Sequence, residues 1–210
     1  MSTASIEKSV IKQTTPQKPA RDRIFNSAKE LFYLQGIRAV GVESIAEHAG
    51  TTKMSLYRNF QSKDELVAEC LRDHKREFWA WWDSVIEPLA GDPKAQLLAL
   101  VDAFITCECD EHSRGCPLAN ATVELHEPEH PGRAVIRDHK NEMRSRLRGL
   151  CHEMGAADAD RLGDALMLLI EGAYVCQLVF RGGDGPTSTL PDAVRTLLDC
   201  QLEIKGDGAR

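Results

Sequence analysis

At 210 residues with 42% apolar side chains, the chain has room for one medium domain, or a small one joined to a larger, around a sizeable core. It shows no run of eighteen or more apolar residues and no signal-peptide h-region, which argues against a membrane span or export and makes a cytoplasmic location the expectation. Its net charge of -6 opposes nucleic-acid binding by the chain as a whole, but the balance is uneven: residues 1–66 sum to +3 and residues 67–210 to -9.

Residues 1–18, rich in Ser, Thr, Gln and Lys, read as a disordered arm. The first helix is expected over 20–35, with Ile24, Ala28, Leu31, Phe32 and Gln35 on one face and Gly36 as its stop. A second follows with Ile45, Ala46 and Ala49 as its apolar stripe. Gly50 then stands where the chain must turn with positive φ. Thr51 or Thr52 caps a third helix that carries Leu56 and Phe60 on one face and Lys53, Ser55, Arg58 and Asn59 elsewhere. A small apolar helix, a glycine turn and a polar-faced helix make the pattern of a DNA-reading helix-turn-helix.

Ser62-Lys63-Asp64-Glu65 matches a capping box and opens a long fourth helix to about Glu87. Phe78-Trp79-Ala80-Trp81-Trp82 lies late in it. Five consecutive helical residues cannot share one face, so Phe78, Trp79 and Trp82 are expected in the core and Trp81 at a surface or joint, with an aromatic ligand box as the alternative. Asp92-Pro93 opens a fifth helix to about Glu111, and a short sixth covers Leu118–Leu125. After the break HEPEHPG a seventh spans Arg133–Met154, an eighth Asp160–Phe180, and a ninth, with Pro191 near its start, reaches Ile204. No stretch has convincing strand alternation, so the class is all-α.

The eighth helix is apolar on two sides. Leu162, Leu166, Leu169, Ala173, Cys176 and Phe180 form one face, and Ala165, Leu168, Gly172, Val175 and Val179 a second. With Val194, Leu197 and Leu198 of the ninth helix it suits a four-helix dimer interface. The alternative is a central helix buried within a monomer. The expected interface residues are Leu162, Ala165, Leu166, Leu169, Ala173, Cys176, Val194, Leu197 and Leu198.

The segment Ile24–Leu66 resembles the TetR family of bacterial transcriptional regulators. The residues that carry the resemblance are Ala28, Leu31, Phe32, Gly36, Ile45, Ala46, Ala49, Gly50, Leu56, Tyr57, Phe60, Lys63, Glu65 and Leu66. It implies a three-helix DNA-binding head at 19–66, joined by the long fourth helix to a helical effector-binding and dimerisation domain at 67–210. It further implies a homodimeric repressor released from a palindromic double-stranded operator by a small-molecule effector, with no cofactor and no membrane partner. Carried over, Lys53, Met54 and Ser55 meet base edges, Tyr57 and Asn59 the backbone or nearby bases, and Lys63 a phosphate. Ser44 and Thr52 can donate hydroxyls to phosphates. The chain departs from many members at Gly41, where a threonine would cap and touch phosphate, at Glu43, where some have a basic residue, and at Met54.

In such an architecture the effector pocket lies among the fifth to eighth helices. Its expected lining is Phe104, Cys107, Asn120, Met143, Leu147, Glu171 and Tyr174. Glu171, a carboxylate in an apolar helix, needs a partner: an effector group, or Arg144, Arg146 or Arg148. The seven cysteines contain no CxxC pair and read as reduced, mostly buried thiols, although Cys116 approaching Cys107 or Cys109 would make a redox signal conceivable. The histidines and glutamates around HEPEHPG do not share a helical face, so no metal site is expected. No nucleophile elbow, phosphate loop or HExxH motif points to an enzyme. A second class of reading keeps the helix-turn-helix as scaffold in a helical ligand-binding or catalytic protein.

Overall fold

The computed structural model describes residues 18–106, 114–180 and 185–203. In chain order they form α1 (Ala20–Gln35), α2 (Val42–His48), α3 (Lys53–Asn59), α4 (Lys63–Ile86), α5 (Pro93–Thr106), α6 (Pro117–Glu124), α7 (Pro131–Glu153), α8 (Ala159–Val179) and α9 (Leu190–Glu203), with 3₁₀ turns at Glu87–Leu89 and Pro186–Thr189. No strand occurs among the described residues. The arm before Lys18, Cys107, Cys109 and the expected ends of the fifth and ninth helices at Glu111 and Ile204 lie outside them.

The helix starts follow side-chain chemistry. Ser62 Oγ accepts the Glu65 N–H at 3.0 Å, Asp92 Oδ1 the Ala95 N–H at 2.9 Å, and Asp158 Oδ1 the Arg161 N–H at 3.2 Å. The Ser62 box is only half made. The Glu65 carboxylate accepts from Arg72 at 2.9 Å, a charge-assisted partner stronger than the backbone N–H it was expected to take. His130 caps α7 with its ring, Nδ1 accepting from Gly132 N–H at 3.0 Å, a cap outside the usual Ser, Thr, Asp and Asn set.

Two hydrophobic clusters organise the packing. The first joins Ile24, Ala28, Phe32, Ile45, Leu56 and Phe60 of the three N-terminal helices to Val67 and Leu71 of α4, Leu118 and Leu125 near α6, and Val135 and Ile136 of α7. The start of α4, the sixth helix and the start of α7 are therefore packed directly onto the helix-turn-helix. The second cluster is built on Trp79 and Trp82 with Leu97, Leu100, Phe104, Met143, Leu147, Leu166, Ile170, Val194 and Leu198. Trp82 is fully buried, whereas Phe78 and Trp81 are only partly so. At Gly163 the backbones of α7 and α8 meet: a Cβ there would lie 2.8 Å from the Arg148 backbone, so a side chain would push the helices apart.

By length and composition α8 is apolar enough to cross a membrane, with mean hydropathy 1.5 over eighteen of its 21 residues, although no unbroken apolar run exists. Its contacts explain the composition. Leu162, Leu166 and Ile170 are buried in the second cluster, while Leu168, Val175 and Val179 stand 74%, 61% and 68% exposed. Asp164 and Glu171 on the same helix pair with Arg144 and Arg148, and with Lys140, of α7.

Candidate nucleic-acid interface and internal cavity

The turn between α2 and α3 is fixed by backbone geometry. Gly50 has φ +59°, and the Thr51 N–H returns to the Ala46 carbonyl at 2.9 Å. Thr52 is the cap of α3, its Oγ1 accepting the Ser55 N–H at 3.2 Å. Leu56 and Phe60 anchor α3 from below and are buried. That anchoring turns Thr52, Lys53, Met54, Tyr57 and Arg58 outward, and Ser44 of α2 is exposed as well. Met54 is 67% and Tyr57 46% exposed, an unusual outlay of apolar surface for a seven-residue helix.

Not every expected contact residue is free on this face. Asn59 Nδ2 donates to the Ser55 carbonyl at 2.7 Å. The Lys63 ammonium donates to the Ile37 carbonyl at 2.7 Å and sits 5.9 Å from the Phe32 ring centre, and burial lowers its pKa. Lys63 thus ties the start of α4 to the α1–α2 turn. Lys53 meets Glu43 of α2 at 2.5 Å. This hydrogen-bonded ion pair raises the lysine's pKa and lowers the carboxyl's. Glu43 is therefore turned toward Lys53, a neighbour that no local pattern revealed.

A cavity of about 300 Å³ opens between the end of α1, α4, α5, α6 and α8. Phe78, Trp81, Phe104 and Tyr174 form a continuous aromatic wall: successive ring centres lie 5.5, 4.9 and 5.4 Å apart. At one edge His74 Nδ1 lies 3.4 Å from Glu77 Oε2, and Glu77 Oε1 takes the Lys29 ammonium at 2.5 Å. Lys29 also meets Asp73 at 2.6 Å. Burial, followed by the Lys29 charge, holds the His74 pKa below its ordinary value. From α8, Gln177 Nε2 faces the Phe104 and Ile105 carbonyls at 3.2 and 3.4 Å.

Of the residues expected to line a pocket, Phe104 and Tyr174 do. Cys107 lies outside the described residues. Met143 and Leu147 are 1% and 0% exposed within the second cluster, because their α7 face packs on α8 and not on the cavity. Asn120 lines a separate, smaller recess between α1, α4 and α6 and donates to the Arg114 carbonyl at 2.7 Å. Glu171 pairs with Lys140 at 2.5 Å, a cation absent from the expected set, since Arg144 and Arg148 are occupied by Asp164 and Arg146 by Asp83 and Glu142. Sequence reasoning missed His74, Cys116 and Gln177, and Phe78 and Trp81 line the cavity as the ligand-box alternative for the 78–82 run expects. Burial raises the Cys116 pKa, the opposite of a redox-active thiolate.

The expected interface residues divide in the same way. Leu162, Leu166, Val194 and Leu198 are at most 3% exposed inside their own chain, so a partner cannot reach them. Leu169, Ala173 and Leu197 are partly buried against the same cluster, and Ala165 and Cys176 are intermediate in exposure. The outward stripe of α8 is its second face: Leu168, Gly172, Val175 and Val179.

An all-helical chain with a capped, outward-facing third helix after a tight glycine turn is a helix-turn-helix DNA-binding protein by architecture. Residues 24–70 match the model of the bacterial regulatory proteins of the tetR family. The transcriptional repressor KstR2 of Mycolicibacterium smegmatis is 34% identical over 100 residues, 47% of this chain and 47% of that protein, so the match spans about half of that relative's length. The regulator LmrA of Bacillus subtilis is 26% identical over 187 residues, 84% of this chain and 97% of that one. A TetR-family regulator from Streptomyces coelicolor has the same fold with a TM-score of 0.80 and 26% identity, covering 87% of this chain and 96% of that one. Residues 24–70 are thus the DNA-binding domain of the TetR family, and the chain as a whole is similar in fold to TetR-family transcriptional regulators. These relatives are regulators, not enzymes.

Proposed function

We propose that the protein is a homodimeric cytoplasmic repressor that holds a palindromic operator and leaves it when a small molecule fills the cavity behind α4. The observation that carries the DNA half is the exposed face of α3, where Lys53, Met54 and Tyr57 stand clear of the core on a capped helix. Lys53 suits guanine O6 and N7, the Met54 methyl a thymine methyl, and Ser44, Thr52 and Ser55 supply hydroxyls. Asn59 and Lys63 act by holding the helix and the α1–α2 turn in place. On this reading residues 19–66 are the head and 67–210 the regulatory body, with 1–18 an arm.

Dimerisation through the outward face of α8 is supported by its exposed Leu168, Val175 and Val179. Two copies would set their α3 helices about 34 Å apart, one turn of DNA. Coupling is supported by α6. Its first residues, Pro117 and Leu118, border the cavity, and at its other end Glu124 accepts the Arg38 N–H at 3.1 Å, on the turn between α1 and α2. Movement of this eight-residue helix would pull on the head directly.

The test is a gel shift on the DNA upstream of the gene. Lys53→Ala and Tyr57→Ala are each expected to lose at least about tenfold in affinity, equivalent to one lost base or phosphate contact. Circular dichroism and sedimentation should be unchanged. Undiminished binding by both variants at matched salt refutes the assignment.

A further inference from the structure

The cavity's polar edge contains one hydrogen-bonding group whose orientation is forced. Gln177 projects from α8 against backbone carbonyls in the last described turn of α5. Its Nε2 faces two of them, Phe104 and Ile105. Rotating the amide by a half turn would set Oε1 against two carbonyl oxygens, so the nitrogen is held there and Oε1 is left as the acceptor. Gln177 is itself a lining residue, so this acceptor belongs to the cavity wall.

The charges are already engaged. Glu77 is the only charged side chain among the described lining residues, and its two oxygens face Lys29 and His74. Lys29 in turn has two carboxylates. Among the described lining residues neither an anion nor a cation finds a free opposite charge, and an unpaired charge in an apolar site is costly. The remaining wall is the ring series Phe78, Trp81, Phe104 and Tyr174, which suits flat ring systems by offset or edge contacts.

We infer that the effector is an uncharged, flat, fused-ring compound carrying a hydroxyl or N–H that donates to Gln177 Oε1. This rests on the cavity being the effector site. A volume of about 300 Å³ accommodates two or three fused rings, within the range of ordinary ligand pockets.

Calorimetric titration of the full chain with 2-naphthol, 2-methoxynaphthalene, 2-naphthoate and 2-naphthylmethylammonium tests it. 2-Naphthol is expected to bind at least about fivefold more tightly than 2-methoxynaphthalene, which has the same rings and no donor, the fold-change of one hydrogen bond. Both ions are expected to bind at least about tenfold more weakly than 2-naphthol. Gln177→Met should bring 2-naphthol and 2-methoxynaphthalene within about twofold of each other, the donor's partner being gone. Equal binding of 2-naphthol and 2-methoxynaphthalene by the native chain, or either ion binding as well as 2-naphthol, overturns the ligand class and leaves the cavity reading standing. Failure of all four to bind, or binding that Phe104→Ala does not weaken, overturns the cavity reading itself.

Discussion

His139 on α7 is 1% exposed, and its Nδ1 is buried without a hydrogen-bond partner. The ring lies edge-on to Phe78 at 4.8 Å and beside Trp79 at 5.3 Å. Burial first, and then the Lys140 and Lys75 ammonium groups, push its pKa down to about 4 against the opposing pull of Glu142 and Asp138. The unfolded chain titrates near the ordinary value of about 6.5 and so takes up the proton first as pH falls. A base with a depressed folded pKa contributes its stability fully above the unfolded value and loses it as pH drops toward the folded one. The ceiling of that loss is about 3 kcal/mol, of which about 2 kcal/mol falls between pH 7.5 and pH 5. Replacing the imidazole by an apolar side chain of similar size, His139→Leu, removes the titration and keeps the contacts with Phe78 and Trp79. Urea unfolding at pH 7.5 and pH 5, at one fixed protein concentration because association adds to stability, should show the variant losing about 2 kcal/mol less than the native chain. His74, whose pKa is also lowered, is present in both proteins and cancels in the difference. Equal acid losses in the two proteins would refute the argument that burial holds His139 neutral.

Glu43→Gln removes the carboxylate that engages Lys53. Affinity for both specific and random DNA should rise about two- to fivefold at low salt and converge with the native value at high salt, as a freed charge requires. Leu168→Asp or Val175→Asp places a charge on the outward stripe of α8, and sedimentation should show a monomer; a persistent dimer would place the interface elsewhere. Glu124→Ala deprives the Arg38 amide of its acceptor, and hydrogen exchange at that amide should quicken about tenfold while the melting temperature stays within a few degrees, the signature of one charge-assisted bond lost. Exchange unchanged at Arg38 would remove α6 from the coupling route.

Much of the fold was legible because helix ends are local chemistry. Gly36, Gly50, Ser62 and Asp92 mark boundaries from their own side chains or their lack of one, and the structure places helix ends at each, whereas the Asp158 cap starts α8 one residue before the expected Asp160. The exposed face of α3 was legible for the same reason, since Leu56 and Phe60 fix which side is buried. What did not follow from sequence is tertiary. Whether Leu166 or Leu168 faces outward on a helix apolar on both sides depends on which side α7 and α9 occupy, and periodicity is symmetric in that choice. Lys140 as the partner of Glu171 and Glu43 as the partner of Lys53 are likewise pairings between helices, thirty-one and ten residues apart. The cavity residues were misassigned because a pocket lining and a core face share the same apolar spacing.

The placement of α6 bears on how a ligand could act at a distance on this scaffold. An effector alters a DNA equilibrium only by as much as its binding energy differs between the two head positions. That difference must be expressed through contacts that change. Several such contacts join body and head: the Glu124 acceptor for Arg38 N–H, the Tyr33 hydroxyl accepting the Arg114 N–H at 2.9 Å, and the Lys29 ammonium on Asp73 and Glu77 of α4. Bonds of this kind are each worth about 0.5–3 kcal/mol. One or two of them changing would match the couplings of about 1–3 kcal/mol found between allosteric sites. In the shared first cluster Leu118 and Leu125 already bind α6 to the helix-turn-helix. A ligand that shifts Pro117 and Leu118 at the cavity rim therefore acts on a helix whose far end is held by the head, with no intervening flexible joint among the residues of α6. On the proposed reading, operator release requires no more than the exchange of one or two of these polar ties for water.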